Sequence, residues 1–304
     1  MSAVLDAAHF HDENAAYAYL EARIWPNGPV CPHCGGVDRI GKLGGKSTRI
    51  GVYKCYQCRK PFRATVGTVF EASHIPLRLW LQAVHLMASS KKGISSNQLH
   101  RVLGVTLKSA WFMSHRIRAA MQVLGMPMMG GGDGGAVEID ETYIGRKEGV
   151  PKSRGSAHKN TVLTLVERGG SARSYHVDST SLADIMPIIN ANIKRDSAIM
   201  TDEASWYRGL GATFHSHGAV NHSAYEWTRG EISTNAVEGF YSIFKRGMKG
   251  VYQHCAEKHL HRYLAEFDFR YSNRVRLGID DVARADRALQ GIVGKRLTYR
   301  QTGH

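Results

Sequence analysis

The stretch "AVEIDETYIGR", residues 136–146, sets the expected fold of the second half of the chain. Val137 and Ile139 alternate with Glu138 and Asp140, which predicts a β-strand with one polar face. A carboxylate in a core strand costs free energy unless it is paired or bound to a cation. Asp140 therefore needs a partner, although a surface-facing or capping Asp is the ordinary alternative. Glu141 is expected on the opposite side of the strand, in a structural role.

The sequence that follows this strand predicts a mixed α/β domain. In chain order, the predicted elements are strands in "NTVLTLVERGG" (160–170) and "ARSYHVD" (172–178), a helix in "SLADIMPIINANI" (181–193), a short strand in "SAIMTDEASWY" (197–207) that ends at Asp202, and helices in "EISTNAVEGFYSIFKRG" (231–247) and "EKHLHRYLAEFDFRYSNR" (257–274). Strands first, then a helix–strand unit and then helices indicate a mixed sheet with helices on both faces.

The helix predicted at 231–247 has two interpretations. Asn235 followed three residues later by Glu238 is typical of a helix N-cap with a capping box. The same Glu238 lies one turn from Asn235 on one helix face, where it can be a metal ligand. Lys245 follows two turns along that face, where a cation can contact a phosphate group.

Four of the five cysteines form two C-x-x-C pairs, Cys31/Cys34 and Cys55/Cys58, separated by 20 residues. Two close thiolate pairs at this separation predict a zinc ribbon, in which all four cysteines bind one structural Zn²⁺ ion. A redox-active pair is the alternative, but the sequence has no thioredoxin-like context.

The formal net charge of +14 is concentrated in one block. Residues 31–125 hold 15 Lys and Arg against Asp38 and Glu71, a net charge of +13. Such a block predicts nucleic-acid binding, whereas a solvated basic surface is the alternative. No apolar run approaches 18 residues and the first 25 residues lack a basic leader, so we expect no membrane span and no signal peptide.

Residues 95–121, "SSNQLHRVLGVTLKSAWFMSHRIRAAM", predict a helix-turn-helix within the basic block. Ser95 or Ser96 caps a short helix, "LGVT" supplies the turn, and a longer helix begins at Leu107. The residues expected on the exposed, DNA-binding face of the second helix are Lys108, Ser109, Arg116 and Arg118. An ordinary helical hairpin is the alternative.

These motifs together resemble the DDE transposases of bacterial insertion sequences that carry an N-terminal zinc ribbon. The resemblance runs through "WPNGPVCPHCGG", "VEIDETYIG" and "VNHSAYEWTRGEISTNAVEGFYSIFKRG", and 35 residues separate Asp202 from Glu238. It implies a ribonuclease-H-like domain in which Asp140, Asp202 and Glu238 bind two Mg²⁺ (or Mn²⁺) ions. Some relatives have Asn as the third signature residue, so Asn235 remains an alternative to Glu238.

The resemblance also implies a function. The protein is expected to nick double-stranded DNA at transposon terminal inverted repeats and to join the freed 3′ hydroxyl to target DNA. A homodimer or larger synaptic assembly in the bacterial cytoplasm, associated with the nucleoid, is expected. The alternatives are a catalytically silent DNA-binding regulator derived from a transposase, and a nuclease without transposition.

Five segments are expected along the chain. They are an N-terminal helix and zinc ribbon (1–70), a helical DNA-binding region (71–125), a Gly-rich linker (126–135), the catalytic domain (136–275) and a C-terminal tail (276–304).

Overall fold

A computed structural model describes residues 3–132 and 135–297 of the chain. The chain divides into two compact units. Of the described residues, unit 1 contains 3–90, 94–122 and 280–297, whereas unit 2 contains 91–93, 123–132 and 135–279. No helix among the described residues is long and apolar enough to cross a membrane.

Unit 1 contains the predicted zinc ribbon. Its antiparallel sheet has the order β1-β2-β3, with β1 at Ile40–Lys42, β2 at Tyr53–Cys55 and β3 at Pro61–Phe62. The Sγ atoms of Cys31 and Cys58 lie 3.6 Å apart, and those of Cys34 and Cys55 lie 3.7 Å apart. A tetrahedral zinc ion with Zn–S bonds of about 2.3 Å requires sulfur atoms about 3.8 Å apart. The four thiols are therefore already spaced for the metal.

Four helices of unit 1 lie before residue 122. They are α1 (Glu13–Ile24), α2 (Leu77–Ser89), α3 (Ser96–Leu103) and α4 (Leu107–Met121). Side-chain oxygens of Asp12, Ser95 and Thr106 cap α1, α3 and α4 by accepting backbone N–H hydrogen bonds. Gly104 ends α3 with a left-handed φ of 65°, so the turn into α4 needs no strained side chain. The structure therefore contains the two predicted helices and the turn between them, an arrangement that a helix-turn-helix and an ordinary helical hairpin share.

The structure contradicts the predicted exposure of two residues on α4. Arg116 and Arg118 are only 5% and 1% exposed. Arg116 donates hydrogen bonds to the carbonyl oxygens of Val69 and Glu71, and Arg118 donates one to Ser114 Oγ. Both guanidinium groups lie inside unit 1, because nearly every residue of α4 from Met113 to Met121 is buried. Lys108 is exposed and Ser109 half-buried in the first turn of α4.

Unit 2 is built on a five-stranded mixed sheet of order β6-β5-β4-β7-β8. Its strands are β4 (Ala136–Ile144), β5 (Asn160–Glu167), β6 (Ala172–Val177), β7 (Ala198–Thr201) and β8 (Ser216–Ala219). β4 pairs antiparallel with β5, and β5 pairs antiparallel with β6. On the other side β7 pairs parallel with β4, and β8 pairs parallel with β7. This is the mixed sheet expected from the sequence, with the first strand at its centre.

Helices cover both faces of this sheet. On one face α5 (Leu182–Asn192) packs through Ile185 and Ile189 against Val137 and Ile139. On the other face α6 (Asn235–Gly247) and α7 (Leu260–Ser272) pack against Val162 and Val166. A short hairpin of β9 (Thr228–Arg229) and β10 (Ile232–Ser233) leads into α6. The fold therefore brings the polar face of β4 next to the N-terminus of α6.

Two segments differ from their sequence description. The described part of the Gly-rich segment 126–135, which excludes residues 133 and 134, packs within unit 2. Met129 forms a β-bridge with Ile193, and the Gly130 N–H donates a hydrogen bond to the Glu167 carboxylate. The expected tail, 276–304, contains α8 (Asp281–Gln290), which Asp280 caps and which packs within unit 1; residues 298–304 of it are outside the described part.

The thiol spacing predicts one zinc ion per chain. Cys31→Ser should lose the zinc and unfold the ribbon, because metal binding contributes on the order of 10 kcal/mol to the folding of such a domain. Elemental analysis and thermal denaturation measure both effects. Cys255→Ser, outside the thiol cluster, is the matched control and should retain the zinc. The assignment would be contradicted if the wild-type protein contained no zinc and Cys31→Ser left its stability unchanged.

Candidate active site

Two of the predicted acidic residues lie where β4 and β7 separate. The parallel pairing of these strands ends at Glu138 and Met200, and β7 itself ends at Thr201. β4 continues beyond this point to Ile144, so Asp140 and Asp202 lie side by side at the fork. A fork of this kind leaves space beside the strand that backbone pairing would otherwise fill.

Glu141 joins this pair, contrary to the expectation that it points away. Carboxylate oxygens of Asp140, Glu141 and Asp202 all lie within 4.8 Å of one another. Glu141 accepts a hydrogen bond from the Tyr207 hydroxyl, at 2.6 Å. The alternation of side chains along β4 is preserved, with Glu141 on the same face as Ile139. Tyr207, which contacts Glu141, packs in the same hydrophobic cluster as Ile139. The long Glu side chain nevertheless brings its carboxylate to the others at the fork.

Burial and mutual repulsion alter the proton affinity of these acids. Burial, followed by the charges of Glu141 and Asp202, raises the pKa of Asp140 to about 8. Burial also raises the pKa values of Glu141 and Asp202. Three adjacent carboxylates offer the hard oxygen ligands that Mg²⁺ and Mn²⁺ prefer, and a divalent cation would offset their repulsion.

Glu238 lies near this cluster but outside it. Its Oε1 accepts a 2.8 Å hydrogen bond from Thr234 Oγ1 and lies 3.3 Å from His222 Nε2. Its charge is one of the causes that raise the pKa of Asp140. The carboxylate is partly exposed, with 42% of the side-chain surface accessible. Of the predicted acids, the structure thus brings Asp140 and Asp202 together and places Glu238 beside them.

The predicted capping of α6 by Asn235 is wrong. The helix begins at Asn235, which is exposed, and Thr234 precedes it without capping the helix by its side chain. The first amides are instead satisfied by Glu138, whose Oε2 accepts from Ala236 N at 2.7 Å and Val237 N at 3.0 Å. A residue almost one hundred positions away performs the capping, which a local motif cannot reveal.

Glu138 is a buried acid beside the site whose structural role the sequence did not predict. Its side chain is 1% exposed and forms a 2.8 Å ion pair with Arg168 Nε. Arg168 also donates to the carbonyl oxygens of Glu231 and Ser233. Glu138 therefore connects β4 to the β9–β10 hairpin and to α6. The available signal was a second acid on the polar face of "VEID".

A second acid, Glu203, fixes the loop that carries His222. It follows Asp202 and accepts hydrogen bonds from the backbone N–H groups of His222 and Ser223 and from the Ser223 hydroxyl. The Ser223 hydroxyl is the main cause that lowers the pKa of Glu203 to about 2. One acid at this strand end thus faces the cluster while its neighbour holds the loop.

Lys245 lies on the face of α6 predicted from its spacing. Its Nζ is 5.7 Å from the centre of the Tyr241 ring. The Tyr241 hydroxyl in turn donates to the backbone carbonyl oxygen of Asp140. The Lys245 ammonium group therefore lies beside a side chain that contacts the strand of the first acid.

Comparisons with known proteins identify the class. Residues 133–272 match the ISXO2-like transposase domain, and residues 11–61 match the transposase zinc-ribbon domain. Together these matches cover more than half of the chain, and they define a nucleic-acid-processing enzyme with a structural zinc ribbon. The chain belongs to the family of ISXO2-like transposases that carry this ribbon.

Two relatives agree with this assignment. An uncharacterized protein in transposable element ISH50 of Halobacterium salinarum is 26% identical over 279 residues, which cover 86% of this chain and 91% of the relative. An uncharacterized transposase-like protein of Haemophilus influenzae is 28% identical over 97 residues, which cover 32% of this chain and 77% of the relative.

The raised pKa of Asp140 predicts how the stability of the metal-free site depends on pH. The folded protein retains this proton up to about pH 8, whereas the unfolded chain releases it near 3.8. The folded state thus binds more protons between these values, so the free energy of unfolding falls as pH rises. Urea denaturation in magnesium-free buffer should show a shallower fall for Asp140→Asn. Equal slopes for variant and wild type would contradict this.

Proposed function

We propose that the protein is a DDE-type DNA transposase that cleaves DNA at the ends of its element and joins the 3′ ends to target DNA. The observation that carries this proposal is the group of carboxylates at the fork between β4 and β7, beside the first turn of α6. The family assignment indicates DNA as the substrate class, and the carboxylates are suited to bind the metal ions used in phosphoryl transfer.

The donor set fits a two-metal site. Asp140 and Asp202 would hold Mg²⁺ or Mn²⁺ through carboxylate oxygens, which suit these hard cations. When bound, such ions activate the attacking oxygen and stabilise the leaving oxygen of an in-line displacement. The chain's own contribution is to place the acids together, because Asp140 lies in β4, Asp202 follows β7, and the two strands pair in one sheet.

Glu238 is proposed as the third signature ligand in preference to Asn235. Its charge acts on Asp140, and its contacts with Thr234 and His222 are made through one carboxylate oxygen. Asn235 is exposed in the first turn of α6. Lys245, two turns beyond Glu238, is proposed to contact a phosphate group of the bound DNA.

DNA recognition is assigned to unit 1. The exposed first turn of α4, with Lys108 and half-buried Ser109, is the part of the helix-turn-helix available to the major groove. The burial of Arg116 and Arg118 argues against this role for them. Terminal inverted repeats and target DNA are the proposed partners, and synapsis of two ends implies a dimer or larger assembly.

The proposed boundaries follow the sequence with two refinements. The catalytic region remains 136–275, with the packed segment 126–135 leading into it. Residues 280–297 are assigned to the DNA-binding unit, with which they pack.

Strand transfer with the element's own DNA ends tests the function. In Mg²⁺, Asp140→Asn, Asp202→Asn and Glu238→Gln should each lower the rate by roughly 10³-fold or more, as expected for groups that act as one catalytic unit. Glu231→Gln makes the same chemical change at an exposed acid near α6 and serves as the matched control.

Two results would reject parts of the proposal. Full activity of Asp140→Asn or Asp202→Asn would reject the catalytic assignment and favour a silent DNA-binding regulator. An active Glu238→Gln protein together with an inactive Asn235→Ala protein would instead transfer the third ligand to Asn235.

A further inference from the structure

Glu141 has an environment unlike those of the other buried acids near the fork. Glu138 is neutralised by Arg168 and by helix amides, and Glu203 by three donors of its loop. Glu141 makes no ion pair within the described part of the chain, and its polar neighbours Tyr207, which donates a hydrogen bond, and Trp206 are both neutral. Its nearest charged neighbours, Asp140 and Asp202, repel it.

A purely structural role does not account for an acid at this position. Glutamine has nearly the same shape and its carbonyl oxygen would accept the same Tyr207 hydrogen bond, without adding a negative charge beside two carboxylates. Three acids within 4.8 Å become favourable when a cation lies between them. The charge of Glu141 is therefore explained by a ligand of opposite charge.

We propose that Glu141 is an additional carboxylate ligand of the divalent cation held by Asp140 and Asp202. This inference rests on the proposed function, because it concerns the same site, and it adds a residue outside the three signature acids. Asp140, Glu141 and Asp202 form one cluster in the structure, whereas Glu238 is oriented toward Thr234 and His222.

Tyr207 is the positioning residue for this ligand. It is 1% exposed and belongs to the single turn Ser205–Tyr207, which begins three residues after Asp202 in the chain. The same connection thus supplies one ligand and the donor that orients another. A metal-ligating carboxylate commonly accepts a hydrogen bond of this kind, because it fixes the orientation of the ligand. Its Oε2 accepts from Tyr207, which would leave Oε1 available to a cation.

Metal binding tests the proposal without reference to activity. Mn²⁺ affinity is measured by electron paramagnetic resonance on the full chain with its zinc site filled. Glu141→Gln should raise the Mn²⁺ dissociation constant by about tenfold or more, as expected when a ligand is lost. Luminescence lifetimes of bound Tb³⁺ in H₂O and D₂O should show about one additional coordinated water molecule, which replaces the missing carboxylate.

Controls separate this inference from the proposed function. Glu231→Gln should bind Mn²⁺ as the wild type does, and thermal denaturation should show that Glu141→Gln is folded. If it is not folded, Glu141→Asp keeps the charge but withdraws it by one methylene group and should weaken binding to a smaller extent.

The outcomes are distinct. Wild-type binding and hydration in Glu141→Gln, with binding lost in Asp140→Asn and Asp202→Asn, would overturn the role of Glu141 alone. Wild-type binding in all three variants would overturn the metal site and the proposed chemistry with it.

Discussion

The contact between Glu138 and the N-terminus of α6 is the constraint on which the arrangement of unit 2 depends. Glu138 and Asp140 project from the same face of β4, two residues apart. Because the Glu138 carboxylate accepts hydrogen bonds from the first amides of α6, the helix that carries Glu238 is held beside the strand that carries Asp140. The partial positive charge at a helix N-terminus strengthens these bonds, as does the adjacent Arg168.

The acids around β4 therefore divide into two groups that differ in how their negative charge is balanced. Glu138 and Glu203 are paired with donors and stabilise the fold, and the pKa of Glu203 is correspondingly low. Asp140, Glu141 and Asp202 repel one another, and burial raises the pKa of each. Strained electrostatics of this kind are common where a protein binds a ligand, because the ligand supplies the missing charge. The first group maintains the geometry that keeps the second group together.

The sequence predicted those features that are specified locally. The cysteine cluster, the cap of α3 by Ser95 and the position of Asp202 at the end of β7 all follow from short motifs, and the structure agrees with each. Features that depend on tertiary contacts were not predictable in this way. Arg116 and Arg118 carry charged side chains, which are usually exposed. Inside unit 1, however, the carbonyl groups of Val69 and Glu71 and the hydroxyl of Ser114 accept their hydrogen bonds.

The acids of unit 2 show the same limit. The Asn235–Glu238 motif is a valid capping box by its spacing, but Glu138 had already satisfied the amides that Asn235 would cap. Glu141 was assigned to the wrong surroundings because alternation describes where a side chain leaves the strand and not where a long side chain ends. Its role, like that of Glu238, depends on the fork between β4 and β7, which only the sheet register reveals.

Amide hydrogen exchange in a Glu138→Ala protein tests the central constraint most directly. Removal of this carboxylate leaves two helix amides and a buried part of Arg168 without their partner, at a cost of roughly 3–5 kcal/mol. The account predicts much faster exchange of Ala236 and Val237 and of the first turn of α6, while Leu165 in the sheet stays protected. Unchanged protection of α6 would show that Glu138 does not hold the helix against β4.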